Sequence, residues 1–176
     1  MGLSQTPQAL VPAAFTSGGM TLLSTTSLSG ATTTISGISG TYTDLQIVLQ
    51  GITAATANGK IRIAPNGSTN ISSQSGGDQA ATDFRRVAGN YILLEDFNQT
   101  NRTNSQNSFT IKISRYATAD SVKSYIISGV FENSDGNRGG TIYGGGITTS
   151  SAISSLDISY SGGDFTAGTV LIYGVK

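Results

Sequence analysis

The sequence predicts an all-β protein, an antiparallel β-sandwich of jelly-roll or Greek-key type with an extended N-terminal arm. Three observations carry that prediction. Helix formers such as Glu, Lys, Arg and Leu are scarce, whereas Thr, Ile, Val and Tyr are plentiful. Apolar residues recur at period two in short blocks. Gly- and Asn-rich turn signals separate the blocks at fairly even spacing, giving eight or so short strands. No fixed-period repeat suggests a solenoid.

Residues 1–20 read as the arm and 21–176 as one sandwich domain. The chain has 176 residues, one domain's worth and enough to bury a core without a metal or disulfide staple. Thr21–Leu28 and Thr33–Ile38 are the first candidate strands. In Tyr42–Gln50, Leu45, Ile47 and Leu49 share one face and Asp44, Gln46 and Gln50 the other. Ile61 and Ile63 flank Arg62 in Lys60–Ala64. Asn90–Asp96 is a weaker candidate. Ser108–Ser114 alternates Phe109, Ile111 and Ile113 with Thr110 and Lys112. Ser124–Glu132 places Tyr125, Ile127 and Phe131 on one face, and Ser155–Tyr160 does the same with Leu156, Ile158 and Tyr160. Thr169–Val175 is apolar on both faces, as a central strand would be. Asn58-Gly59 and Asn66-Gly67 are hairpin-type dipeptides. Gly76-Gly77-Asp78, Asp135-Gly136-Asn137 and Gly162-Gly163-Asp164 mark tight turns. Pro7 and Pro12 fall in the arm and Pro65 opens a turn, so no proline interrupts a block.

Composition removes whole classes of chemistry. Cys and His are absent, which excludes disulfides, thiolate metal sites, cysteine nucleophiles and the Ser-His-Asp triad. Lys plus Arg and Asp plus Glu are both 10, so the formal net charge is zero. Charged residues are 11% of the chain, against about 25% in ordinary soluble proteins, so no basic footprint for nucleic acid exists. No apolar run is long enough for a membrane helix, and Met1–Gly19 lacks the features of a secretory signal. Abundant Ser, Thr and Gly with little charge also suits disorder. The 37% hydrophobic content and its regular alternation argue for a packed core instead.

Candidate sites are few, and each has a plain structural alternative. Asp83-Phe84-Arg85-Arg86 could fork two guanidinium groups onto an anion, but it reads better as exposed loop charge or an assembly contact. Glu95, Asp96, Glu132, Asp135, Asp157 and Asp164 are the carboxylates from which a glycosidase pair could be drawn. Any chain with ten carboxylates contains such pairs by chance, so no catalytic residue is assigned. Asp135-Gly136-Asn137 lacks the full calcium-loop pattern and its distal Glu. Lys60 after Gly59 lacks the phosphate-loop spacing. Asn66, Asn70, Asn98 and Asn101 open Asn-x-Ser/Thr sequons expected by chance in so Ser/Thr-rich a chain. Tyr42, Tyr91, Tyr116, Tyr125, Tyr143, Tyr160 and Tyr173 could form sugar-stacking platforms, but most lie in strand blocks where Tyr is ordinary core or interface material. Cofactors and metals are not expected.

One resemblance runs from about Thr21 to the C-terminus. It rests on Tyr42–Leu49, Ile61–Gly67, Phe109–Tyr116, Lys123–Phe131, the Gly-rich Gly139–Gly146, Ala152–Ile158 and, most specifically, Ala167–Val175. This series resembles tailed-bacteriophage virion proteins found as fibre, head-decoration and tail-accessory domains, which end in a similar Gly-Thr-x-x-x-Tyr-Gly-Val/Ile strand. Where the family usually carries an aromatic, often Trp, before the Ala-Ile block, this chain has Tyr143. The resemblance implies a jelly-roll sandwich, commonly a homotrimer, located in the virion and assembled in the host cytoplasm. It implies a head decoration or cement protein that contacts the major capsid protein or another virion protein. The alternative is a receptor-binding domain that contacts host surface glycan through loops Asn98–Asn107 and Asp135–Gly146. It brings no catalytic residues, nucleic-acid partner or membrane insertion.

Overall fold

The computed structural model describes residues 19–56, 59–67, 71–78, 84–89, 91–94, 107–119, 122–132 and 138–176, with backbone alone for 71–78 and 84–88. The arm proposed for residues 1–20 therefore lies outside the described residues up to 18. Twelve strands are present among the described residues: β1 Met20–Ser27, β2 Thr32–Ser36, β3 Asp44–Ala54, β4 Ile61–Pro65, β5 Ile71–Asp78, β6 Phe84–Gly89, β7 Ile92–Leu93, β8 Asn107–Ile113, β9 Val122–Glu132, β10 Arg138–Thr148, β11 Ser155–Tyr160 and β12 Phe165–Val175. The protein is all-β and every strand pairing is antiparallel.

An eight-stranded sheet runs β1-β12-β3-β8-β9-β10-β5-β6, and a four-stranded sheet runs β2-β11-β4-β7. One continuous hydrophobic core takes Leu45, Ile111 and Ile172 from the first sheet and Ile63, Leu156 and Ile158 from the second, making a β-sandwich. The first four strands of the large sheet, β1-β12-β3-β8, are matched by β2-β11-β4-β7 in the small one. Each pair β1/β2, β3/β4, β7/β8 and β11/β12 is consecutive in sequence and passes from one sheet to the other. The antiparallel pairs β5-β6 and β9-β10 widen the large sheet beyond those four strands.

Burial sets the register. Ile172, Ile47, Ile111, Ile127 and Tyr143 stand opposite one another across five strands, all at most 1% exposed. Each buried aliphatic side chain contributes about 1.5–3 kcal/mol, more than the ~0.2–1 kcal/mol of a cross-strand pair. A one-residue slip of β3 or β8 would turn Gln46 or Lys112 inward, so core burial fixes the pairing.

Several expectations need correction. Gly76-Gly77-Asp78 is no turn: it is the end of β5, paired along its length with β10 and at Gly76 also with β6. Phe84-Arg85-Arg86 is no loop either: it begins the edge strand β6. Gly139–Gly146 lies within β10, which is sandwiched between β9 and β5. Without side chains on glycine the period-two signal vanishes, so β5 and β10 give no alternation, and in β6 the adjacent arginines break it. Asn90–Asp96 contributes only the two-residue β7 among described residues. Gly162-Gly163 does form the turn between β11 and β12.

Asn66-Gly67 turns with φ of 54° and 68°, but joins strands of different sheets rather than a hairpin. Asn66 tolerates this left-handed backbone better than most residues. Its side chain also locks the approach to β11. Nδ2 donates to Ala152 O at 2.9 Å, and Oδ1 accepts from Ser154 N at 2.9 Å and Ser155 N at 3.2 Å. Asn66→Ala is expected to lose about 2–3 kcal/mol of unfolding free energy in urea titrations. Asn66→Gly keeps the backbone but loses the three bonds. If Asn66→Gly matched wild type, the side-chain clamp would be refuted.

Candidate assembly face

The outer face of the eight-stranded sheet is set out by the pairing register. One row runs Leu22, Tyr173, Gln46, Lys112, Ile126 and Gly144; the next runs Thr25, Leu171, Val48, Thr110, Ser128 and Ile142. A further row carries Thr169, Gln50, Ser108, Val130 and Gly140. Large apolar side chains stand in solvent here: Leu22 at 50%, Ile126 at 54%, Val130 at 55% and Ile142 at 63% exposure, with Val122 and Met20 beyond them. β9 alternates Val122, Ser124, Ile126, Ser128 and Val130 outward because its inward positions, from Lys123 to Phe131, are fixed by the core. Beside it an open groove of about 400 Å³ is floored by Phe109 and Gly129 and walled by Val48, Gln50, Thr110 and Val130.

Lys112, the charged residue in these rows, is paired. Lys112 Nζ lies 2.9 Å from Asp44 Oδ2, and Asp44 Oδ1 also accepts from the Arg115 N–H at 3.1 Å. Partial burial pushes the Asp44 carboxyl up, but the Lys112 hydrogen bond, the Arg115 N–H and the Lys112 charge outweigh it and hold it below the ordinary value. A carboxyl lowered on folding adds stability that is present above its unfolded pKa and lost as pH falls through its folded pKa. Acid titration of unfolding free energy is therefore expected to fall more gently below about pH 4 for Asp44→Asn than for wild type. The difference is small because Lys112 is 47% exposed and screened by salt. Identical acid limbs would remove Asp44 from the account.

The opposite face of the sandwich is different in kind. Thr34 Oγ1 donates to Asp157 Oδ1 at 2.6 Å, and the Arg62 guanidinium sits 4.2 Å from the Tyr91 ring centre. Ser155 and Ser159 flank Asp157 on β11, giving a polar surface that water satisfies.

The residues singled out by sequence are mostly dispersed or structural. Glu132 is 5% exposed and meets Arg138 Nε at 3.2 Å, closing the root of the β9–β10 pair. Asn107, placed in a candidate glycan loop, instead begins β8 and is fully buried. Tyr116, Tyr125, Tyr143 and Tyr160 are at most 4% exposed, so they are core and not sugar platforms. Tyr116 O–H donates to Ser39 O, and its burial pushes its pKa up. Tyr160 O–H donates to Thr56 O and accepts from Gly59 N. Tyr42, Tyr91 and Tyr173 are half-buried. Lys60 donates its backbone N–H to Ser161 Oγ at 2.7 Å at the edge of β4. Asp164 follows the β11–β12 turn and its carbonyl accepts from Ala55 N. Asp83, Glu95, Asp96, Asp135, Asn70, Asn98 and Asn101 lie outside the described residues, and for Arg85 and Arg86 only the backbone is described.

Among the described residues, no group of three Asp or Glu is placed to hold a metal ion, and no helix is long and apolar enough to cross a membrane. Comparisons with family models, curated proteins and solved structures return no match. The outward residues of β9 were legible in part: Ile126 and Ile127 are adjacent, so one of them had to face away from the core.

Proposed function

We propose that this chain is a structural protein of a tailed-phage virion, most specifically a capsid decoration or cement protein. One observation carries the assembling role: the outer face of the large sheet exposes Leu22, Ile126, Val130 and Ile142 to solvent. A surface built of Val, Ile, Ser and Gly offers area for packing against protein and little for chemistry. The virion assignment adds the resemblance in the order of strands and in the Ala167–Val175 terminus. A cement protein works by adding interface area between neighbouring capsid subunits, so that internal pressure must break more contacts to separate them. Its partners would be copies of itself and the major capsid protein or another virion protein.

Immunogold electron microscopy on phage particles, with antibody to this chain, tests the assignment. Gold spread over the head supports decoration. Gold confined to the tail, or none on particles with verified epitopes, overturns it. Deletion of residues 1–19 is expected to weaken particle attachment while leaving the thermal transition of the sandwich in place. Unchanged occupancy on particles would show that residues 1–19 are no anchor.

A further inference from the structure

We infer that the outer face of the large sheet from β1 to β10, most apolar at β9 and β10, is a self-association surface, on which a second copy of this chain docks face to face about a two-fold axis. The inference rests on the chain being an assembling protein, and not on its place in a virion.

The glycines of β10 give the sharpest evidence. Gly140 and Gly144 flank Ile142 on the outer face. Among the described residues, a Cβ added at Gly140 would meet nothing nearer than Gly129 O at 3.8 Å, and at Gly144 nothing nearer than Tyr125 O at 3.5 Å. Neither has a left-handed φ. The isolated fold therefore has room for a side chain at both positions. Their neighbours differ: a Cβ at Gly139 would strike the Phe131 ring at 2.7 Å, and one at Gly129 the Phe109 ring at 2.4 Å. Glycine inside a strand weakens it, and one common reason to keep it is the close approach of another backbone. Among the described residues nothing makes such an approach at Gly140 or Gly144, and a second molecule laid on this face would.

Three further features choose a second copy as the occupant. The patch carries both parts of a self-complementary contact: Ile126 and Ile142 project, while Gly140, Gly144 and the groove beside Val130 recede. A two-fold contact needs both on one surface, since residue i meets j and j meets i. Across the six strands from β1 to β10, outward Lys112 is paired with Asp44, so neither adds an unpaired charge to repel a like face. Its extent also suits a dimer. Six strands from β1 to β10, at about 4.8 Å each and eight residues tall, span roughly 800 Å², the area per partner in an ordinary stable interface.

Association by strand addition is disfavoured at the sheet edges. β1 is broken by a register shift between Leu22 and Ser24, β7 has two residues, β2 has five, and β6 carries consecutive arginines in sequence. Short, bulged and charged edges resist pairing with another chain. The face is left as the open route.

The test is sedimentation velocity of the full chain across the micromolar range, with thermal unfolding run in parallel. Wild type is expected to sediment at twice the monomer mass. Ile142→Asp and Gly144→Val are each expected to weaken dimerisation at least about tenfold. Both positions are free of core contacts, so the unfolding transition of the monomer should survive. Because the chain has no cysteine, single introduced thiols report geometry directly. Mixed Ile142→Cys and Thr110→Cys proteins are expected to cross-link under mild oxidation, and Thr34→Cys on the opposite face is not. A monomer at every concentration overturns the inference, and so does a trimer, the state that the resemblance implies. So does an oligomer that both variants leave intact, or one that cross-links through Thr34→Cys. Gold labelling of particles is a separate readout, so a failed dimer and a failed virion assignment would be told apart.

Discussion

Asn107→Ala is expected to lower the unfolding free energy by about 2–4 kcal/mol, because one buried amide satisfies groups on two neighbouring strands. The β3–β8 ladder breaks between Leu49 and Ile52, where Gly51 bulges at φ 60°. Asn107 bridges the break: Nδ2 donates to Ile52 O at 3.1 Å, and Oδ1 accepts from Glu132 N at 3.0 Å on β9. Asn107 is fully buried, so water cannot replace either bond. Alanine would leave a carbonyl and an N–H unsatisfied at about 1–3 kcal/mol each, with partial relaxation. At about 2–4 °C per kcal/mol for a chain of this size, the melting temperature should fall by roughly 4–16 °C. Ser108→Ala is the control. The Gly51 N to Ser108 Oγ contact is 3.5 Å, too long to count, so its loss should stay within about 0.5 kcal/mol. A loss below about 1 kcal/mol for Asn107→Ala would mean that the bulge satisfies itself.

Asn107 also shows where sequence reasoning stops. Strands with an alternating apolar set were legible: Ser155–Tyr160 matches β11 residue for residue, and Leu45, Ile47 and Leu49 face the core as expected. A polar residue at the end of an Asn-rich run carries no such signal. Only the pairing of β3, β8 and β9, set by residues some 25 and 55 positions away, makes Asn107 a core residue. The candidate face was hidden for the opposite reason. Its apolar residues alternate with serine on β9 and stand among glycines on β10, and alternation alone does not say which face meets solvent. β5 and β10 carry no strand signal in sequence because glycine erases the period that identifies a strand.

Gly168→Ala is expected to cost about 2–4 kcal/mol, and it explains a feature of the terminal strand that its apolar pattern does not. Gly168 has φ of +135°, a region that residues with a side chain rarely enter. It sits at a register shift between Ala167 and Thr169, and its carbonyl accepts from Leu28 N at 2.9 Å. A Cβ there would lie 2.9 Å from Leu28 Cδ1 and 3.3 Å from Ile52 Cα, both in the core. Backbone strain of about 1–3 kcal/mol adds to that crowding. Gly174→Ala makes the informative comparison. Its added Cβ would fall 2.3 Å from the Tyr42 ring, nearer than any contact at Gly168. Yet Gly174 has ordinary strand φ, and Tyr42 is a half-buried side chain that can swing away. Distance alone therefore ranks Gly174→Ala as the worse substitution, whereas backbone conformation ranks Gly168→Ala worse. Urea titration of the two variants decides between them. A larger loss for Gly174→Ala would mean that ring packing, and not the backbone at the bulge, is what demands glycine in this strand.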